Sequence, residues 1–239
     1  MLLKDLYLEA LVNRNLRLRY HCVMNDRQRR LVPLAPVETE IRVVNSRFIA
    51  SLSPANSVEE ARAFVTEIKK RFPDATHHVP AFIIGHGQSI ITHCTDDGEP
   101  SGTAGRPALA VLQGSGLGNV VVVVTRYFGG TKLGTGGLVK AYGESVKAVL
   151  EITQKADLVA TTTLMFTLAY PLYELGLRLV NEYKGLILQD EFGVDVTLTV
   201  QFQDTELEGF KAQLSNLTSG QVDAIVIEEN PNTPFPIFE

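Results

Sequence analysis

Hydrophobic and polar residues alternate with two different periods along this chain. From Leu31 onward, Glu40-Ile41-Arg42-Val43-Val44 and Arg47-Phe48-Ile49-Ala50 read as two short extended segments. Ser57, with Glu60 three residues on, has the spacing of a capping box. Ala61, Phe64, Val65, Ile68 and Phe72 follow at helical spacing, and Pro73 closes the helix. Ala81 to Gly85 and Ser89 to His93 read as paired strands turning at Gly85-His86-Gly87, which leaves His86 exposed. Val120 to Val124 is an unbroken β-branched run, the pattern of a strand buried on both faces. Leu138 to Leu150 returns to helical spacing, with Leu138, Val139, Ala141, Tyr142, Val146, Val149 and Leu150 as its apolar positions.

The second half repeats this logic independently. Leu164, Phe166, Leu168 and Tyr170 alternate as a half-buried strand, and Pro171 opens a helix carrying Leu175, Leu179 and Val180. Leu186 to Leu188 and Val194 to Phe202 read as a hairpin around Glu191-Phe192-Gly193. Asp204 caps a helix bearing Leu207, Phe210, Leu214 and Leu217, which Ser219-Gly220 ends, and Val222 to Ile227 is a last strand. The order is β-α-β-β-α-β, the ferredoxin-like arrangement. These patterns predict a two-domain α/β (α+β) protein: an extension over residues 1–30, a first domain over 31–153, a second over 158–228 and a proline-rich, extended or mobile tail over 229–239. The linker falls near Thr153 to Leu158. Residues 1–23 carry a loose apolar stripe (Leu2, Leu6, Leu8, Leu11, Val12), and the polar run after Met24 suggests that the functional protein starts there.

Composition narrows the setting. The longest apolar runs are far short of a membrane span, and the first residues lack a signal-peptide pattern. Cys22 and Cys94 form no C-x-x-C pair. The expectation is a cytoplasmic, reduced protein with no membrane partner, structural zinc or cofactor. Charge is uneven: residues 1–154 hold 18 Lys and Arg against 14 Asp and Glu, whereas residues 155–239 hold 4 against 13. A first half at +4 beside a second at −9 suggests two units with different partners.

Chemistry-bearing residues concentrate between Thr95 and Gly143. TDDGEPSGTAGRP (Thr95 to Pro107) supplies Asp96, Asp97, Glu99, Ser101, Thr103 and Arg106; RYFGGTKLGTGG (Arg126 to Gly137) supplies Arg126, Tyr127, Lys132, Gly134 and Gly136. The three carboxylates fit general acid–base work or magnesium binding, or equally turns at Asp97-Gly98 and Pro100-Ser101-Gly102 with the carboxylates capping nearby N–H groups. Ser101 sits one place late for a G-x-S-x-G elbow, and Lys132 precedes Gly134, so the Walker A order fails. His77, His78, His86, His93 and Cys94 share a segment but no zinc spacing. A strand feeding a glycine-rich loop and a helix suits an anion, and Arg126, Tyr127, Phe128 and Lys132 mix cations with aromatics as in phosphate contact plus base stacking. The same residues also allow a bland account, in which Phe128 fills core and Arg126 pairs with Asp96, Asp97 or Glu99.

The two segments together closely resemble the signature of the IMPACT family in its bacterial, YigZ-type branch. Asn45-Ser46-Arg47-Phe48-Ile49-Ala50 and Asp74-Ala75-Thr76-His77 fit the same pattern, and the resemblance covers about residues 31 to 150 and extends into the second half. It implies a first domain with the small-subunit ribosomal-protein domain-2-like fold and a second resembling a domain of elongation factor G. It implies no established enzyme activity. Eukaryotic relatives regulate translation through a separate RWD domain, for which this chain has no room. His78-Val79-Pro80 departs from the family, and Pro80 suggests an edge or a bend. The expectation is therefore a non-enzymatic protein linked to translation regulation that binds RNA or a ribosome or translation-factor component. Arg106, Arg126 and Lys132 would meet phosphates, while Asp96, Asp97 and Glu99 orient them. A purely protein-binding regulatory module and a small nucleotide-binding phosphotransferase or hydrolase are the alternatives.

Overall fold

The computed structural model describes residues 29–87 and 89–238. The apolar stripe over residues 1–23 and the start at Met24 expected from sequence lie outside the described residues. The chain divides into two compact units between Gln154 and Lys155, a two-domain mixed α/β architecture built on antiparallel sheets.

The first unit runs β1 (Leu31–Pro33), β2 (Val37–Val43), β3 (Ser46–Pro54), α1 (Val58–Arg71), β4 (His77–Ile84), β5 (Ile91–Cys94), α2 (Gly105–Gly114), β6 (Val120–Tyr127) and α3 (Gly134–Glu151). Its sheet has the order β2-β3-β6-β4-β5, with every neighbouring pair antiparallel. The valine run is the central strand, and Val120 to Val124 are all fully buried. Each buried valine contributes about 1.5–3 kcal/mol relative to exposure, so β6 is the spine of the unit. Alternate residues serve opposite faces. Phe48, Ala50, Leu52, Val79, Ala81, Ile83, Val122 and Val124 pack against Ala108 and Leu112 of α2 and Leu138, Ala141, Tyr142, Val146 and Val149 of α3. Phe82, Ile84 and Val121 face Ala61 of α1 on the other side, with Val58, Phe64 and Val65.

Ser57 caps α1 as expected, its Oγ accepting from the Glu60 N–H at 3.1 Å, while the returning bond of the capping box is shifted by one residue: the Glu60 carboxylate accepts from the Asn56 N–H at 2.7 Å, just before the cap. β4 starts four residues earlier than its apolar run, at His77, and includes Pro80. Pro80 is tolerated because its carbonyl faces the β5 side just beyond that strand, accepting from Thr95 N at 3.3 Å; the β4–β5 ladder begins only at Ala81. His86 is half-buried rather than exposed and donates to the Leu31 carbonyl at 3.1 Å.

The second unit runs β7 (Lys155–Leu168), α4 (Tyr170–Glu182), β8 (Leu186–Phe192), β9 (Val196–Gln203), α5 (Asp204–Leu217) and β10 (Ile225–Pro236). The β-α-β-β-α-β order is as read from the alternation, and its strands lie β10-β7-β9-β8. Leu164, Phe166, Leu168, Val196, Leu198, Val200 and Phe202 form one sheet face, covered by Val180, Phe210 and Leu214. One expectation is corrected and one is narrowed. The segment expected as linker is strand from Lys155 onward. Of the two alternatives for the tail, extended or mobile, the extended one holds: it forms the larger part of β10, paired to β7 as far as Pro236 with Phe235 fully buried. Pro231, Pro234 and Pro236 are accommodated because β10 pairs with one strand only, and the register slips between Asn230 and Thr233.

A self-capped loop, a buried ion pair and an open glycine edge

The residues singled out by sequence separate into three environments. The Thr95–Ala104 loop is held from within. Asp96 accepts hydrogen bonds from Gly102 N (2.8 Å), Ala104 N (3.1 Å) and Gly105 N (2.9 Å). These are donors at and before the start of α2, where Ala104 has no capping side chain. Burial opposes ionisation of Asp96, but the three N–H groups and Arg106 outweigh it and hold its carboxyl below the usual range. Gly105 is required for this closure, since a Cβ there would lie 2.6 Å from the Thr95 carbonyl oxygen. Turns at Asp96–Glu99 and Pro100–Thr103 complete the loop. Thr103 is buried and donates to the Pro100 carbonyl at 2.7 Å, whereas Ser101 and Arg106 are exposed. Asp97, with a positive φ of 46°, pairs with Lys69 at 2.9 Å and accepts from His78 N at 2.7 Å. Its carbonyl accepts from His77 Nδ1 at 2.8 Å. The turn-and-cap reading of the carboxylates is thus realised for Asp96 and Asp97.

Glu99 and Arg126 form the second environment. Their side chains are 4% and 5% exposed, and Arg126 Nη1 lies 2.6 Å from Glu99 Oε1. The Tyr142 hydroxyl donates to the same oxygen at 2.7 Å, and Arg126 Nη2 donates to Ser46 Oγ at 3.3 Å. Burial, reinforced by the bond to Glu99, pushes the Tyr142 phenol strongly up. The guanidinium lies over Phe48 at 5.3 Å and over Phe128 at 5.5 Å. Its Nε finds no acceptor among the described residues. Arg126 therefore does not meet phosphate at the surface: its charge is spent on Glu99, the one carboxylate of the three that pairs with it. Phe128, in turn, is 46% exposed and fills no core. Sequence reasoning passed over Tyr142 and Ser46. The signal for Tyr142 was a hydroxyl on an otherwise apolar helix face, which when buried requires a partner.

The third environment is the edge after β6. Tyr127 donates to Asp74 at 2.9 Å and lies beneath Arg47 at 5.2 Å; burial and the Asp74 bond raise its phenol above the ordinary value. Phe128 N donates to Thr76 Oγ1 (3.1 Å), and Gly129 N donates to Ser46 Oγ (3.3 Å). A Cβ on Gly129 would lie 2.0 Å from the Asn45 carbonyl oxygen, so only glycine lets the two turns approach. Beyond it, Lys132, Gly134 and Gly136 are exposed, and α3 begins at Gly134 with no side-chain cap. The histidines weighed as metal ligands are otherwise engaged: His78 Nε2 donates to the Phe72 carbonyl at 2.9 Å and the His93 ring packs on Phe82. Among the described residues no three His, Cys, Asp or Glu side chains converge, and no helix is long and apolar enough to cross a membrane.

Comparison with known proteins matches both halves of the chain. Residues 44–150 match the Impact N-terminal domain, and residues 166–221 match a domain of unknown function, DUF1949. The chain is 39% identical over 203 residues to the IMPACT family member YigZ of Escherichia coli, covering 83% of this chain and 98% of that protein. It is 38% identical to the IMPACT family member YvyE of Bacillus subtilis, covering 78% and 85%. A crystal structure described only as a hypothetical protein is 38% identical, with a TM-score of 0.52 over 84% of this chain and 98% of that one.

Proposed function

This chain belongs to the IMPACT family, and from that premise we propose that it is a binding protein linked to translation regulation, taking RNA on the glycine-rich edge of its first unit. The observation that carries the reading is the contrast between two helix starts. Asp96 fills that of α2 with the protein's own carboxylate. The start of α3 is uncapped and exposed, a Cβ on Gly134 or Gly136 would meet nothing within 4 Å, and Lys132 precedes it. Free backbone N–H groups beside a cation suit a phosphate oxygen. The translation link is the one the family resemblance implies. The second unit, at −9, repels a polyanion and leaves the first as the RNA-binding half.

A reaction finds less support. Asp96 is committed to three N–H groups, Asp97 to Lys69 and a backbone N–H, and Glu99 to Arg126 and Tyr142. The test is a titration of RNA into the full chain across a salt series. Saturable binding at low salt that weakens as salt rises is expected, and Lys132→Glu lowers affinity and reduces the salt slope by about one. No saturable binding at low salt overturns the reading, and nuclease-insensitive capture of a protein partner from lysate would replace it.

A further inference from the structure

We propose that Phe128 is a stacking platform for an unpaired base, so that the RNA taken by this edge is single-stranded. The inference rests on the RNA reading above and adds the form of RNA and the residue that selects it. A single exposed aromatic is unremarkable on a protein surface; the way this one is held is not. The backbone on either side is fixed by two side-chain oxygens, Thr76 Oγ1 on Phe128 N and Ser46 Oγ on Gly129 N. The following glycine is packed against the Asn45 backbone. One face of the ring lies against the Arg126 guanidinium at 5.5 Å, and that cation is itself locked by Glu99 at 2.6 Å and by Ser46. Phe128 is nevertheless 46% exposed.

An aromatic side chain fixed in advance loses little freedom when a flat partner covers it. The buried cation beneath holds the ring by its quadrupole and is out of reach of phosphate, so a ligand meets an aromatic face rather than a charge. The residues that follow Phe128 in the chain are Gly129, Gly130 and, two further on, the exposed Lys132, small side chains for a sugar–phosphate strand to pass and one cation for it. A base inside a duplex is stacked on its neighbours and does not reach a protein ring; an unpaired base does.

The test compares, on the full chain, an unstructured single-stranded RNA with a perfect duplex of equal length by fluorescence anisotropy at low salt. The single strand is expected to bind more tightly. Phe128→Ala is expected to weaken it on the order of tenfold or more and to leave duplex affinity unchanged, while Phe128→Tyr restores single-strand binding. An unchanged thermal melt for Phe128→Ala assigns the loss to the ring. If both RNAs bind alike and neither responds to Phe128→Ala, stacking is overturned and the RNA reading stands. If neither binds, the RNA reading fails and stacking fails with it.

Discussion

Replacing Glu99 by alanine removes the counter-charge of Arg126 and the acceptor of the Tyr142 hydroxyl in one step. Both members of the pair are about 95% buried, their side chains being 4% and 5% exposed. Breaking such a pair from one side costs about 3–5 kcal/mol, because the remaining charge stays in low dielectric. The orphaned hydroxyl adds about 1–3 kcal/mol where it stays dry. Ser46 still accepts from Nη2, and the space left by the truncation admits water, so the expected loss is about 4 kcal/mol. At about 1.4 kcal/mol per decade, that is nearly a thousandfold faster exchange for amides that exchange only on unfolding. Hydrogen-exchange mass spectrometry of the full chain reads this in peptides from β6 and α3. A double variant, Glu99→Met with Arg126→Met, removes both charges and is expected to fall closer to the parent than either single change. Exchange within threefold of the parent for Glu99→Ala, or a double variant as unstable as the sum of the two, would refute the reasoning.

Two further outcomes follow from the loop and the edge. Asp96→Ala uncaps α2 and is expected to cost about 1–2 kcal/mol at neutral pH. Because the folded carboxyl titrates below its ordinary value of about 3.9, Asp96 contributes its stability fully above that value and loses it as pH falls through the folded pKa. In acid-denaturation curves the gap between parent and variant is therefore expected to close at the low end; a gap constant to the lowest pH contradicts the cap. Gly129→Ala places a Cβ 2.0 Å from the Asn45 carbonyl oxygen and is expected to destabilise by about 3 kcal/mol; an unchanged melting temperature would show that the two turns are not in contact.

Elements that declare themselves through local pattern were legible in the sequence. Five consecutive valines have one comfortable home, and helices on both sides of the sheet provide it. Ser57 and Glu60 carry the start of α1 within four residues. The strict alternation of Leu164, Phe166 and Leu168 marks β7, although its first residues, Lys155 to Leu158, lack that contrast and read as linker. Helix α2 was hidden because Gly105 and Pro107 look like breakers. Pro107 is compatible with a first turn, and the missing cap is delivered by Asp96 from eight residues away from Ala104. Three prolines disguised β10 for a similar reason, since an edge strand tolerates them where a central one does not. The site divided along the same line. That the carboxylates could serve turns was readable from spacing. Which cation would be buried was not, because Arg126 at the end of β6 becomes internal only through Glu99 and Tyr142, which arrive from a loop and a helix distant in the chain.

The position of β6 between β3 and β4 has a consequence for biosynthesis. Both neighbours precede it in the chain, and each already has a hairpin partner on its other side: β2 for β3, and β5 for β4. A nascent first unit therefore presents two hairpins with facing open edges until Tyr127 has left the ribosome, and Phe48, Leu52, Val79 and Ile83 lack the cover of α3 until Glu151 has followed. Closure is then a single insertion event, and during that interval the two unpaired edges are the places where the growing chain is most prone to pair with something else.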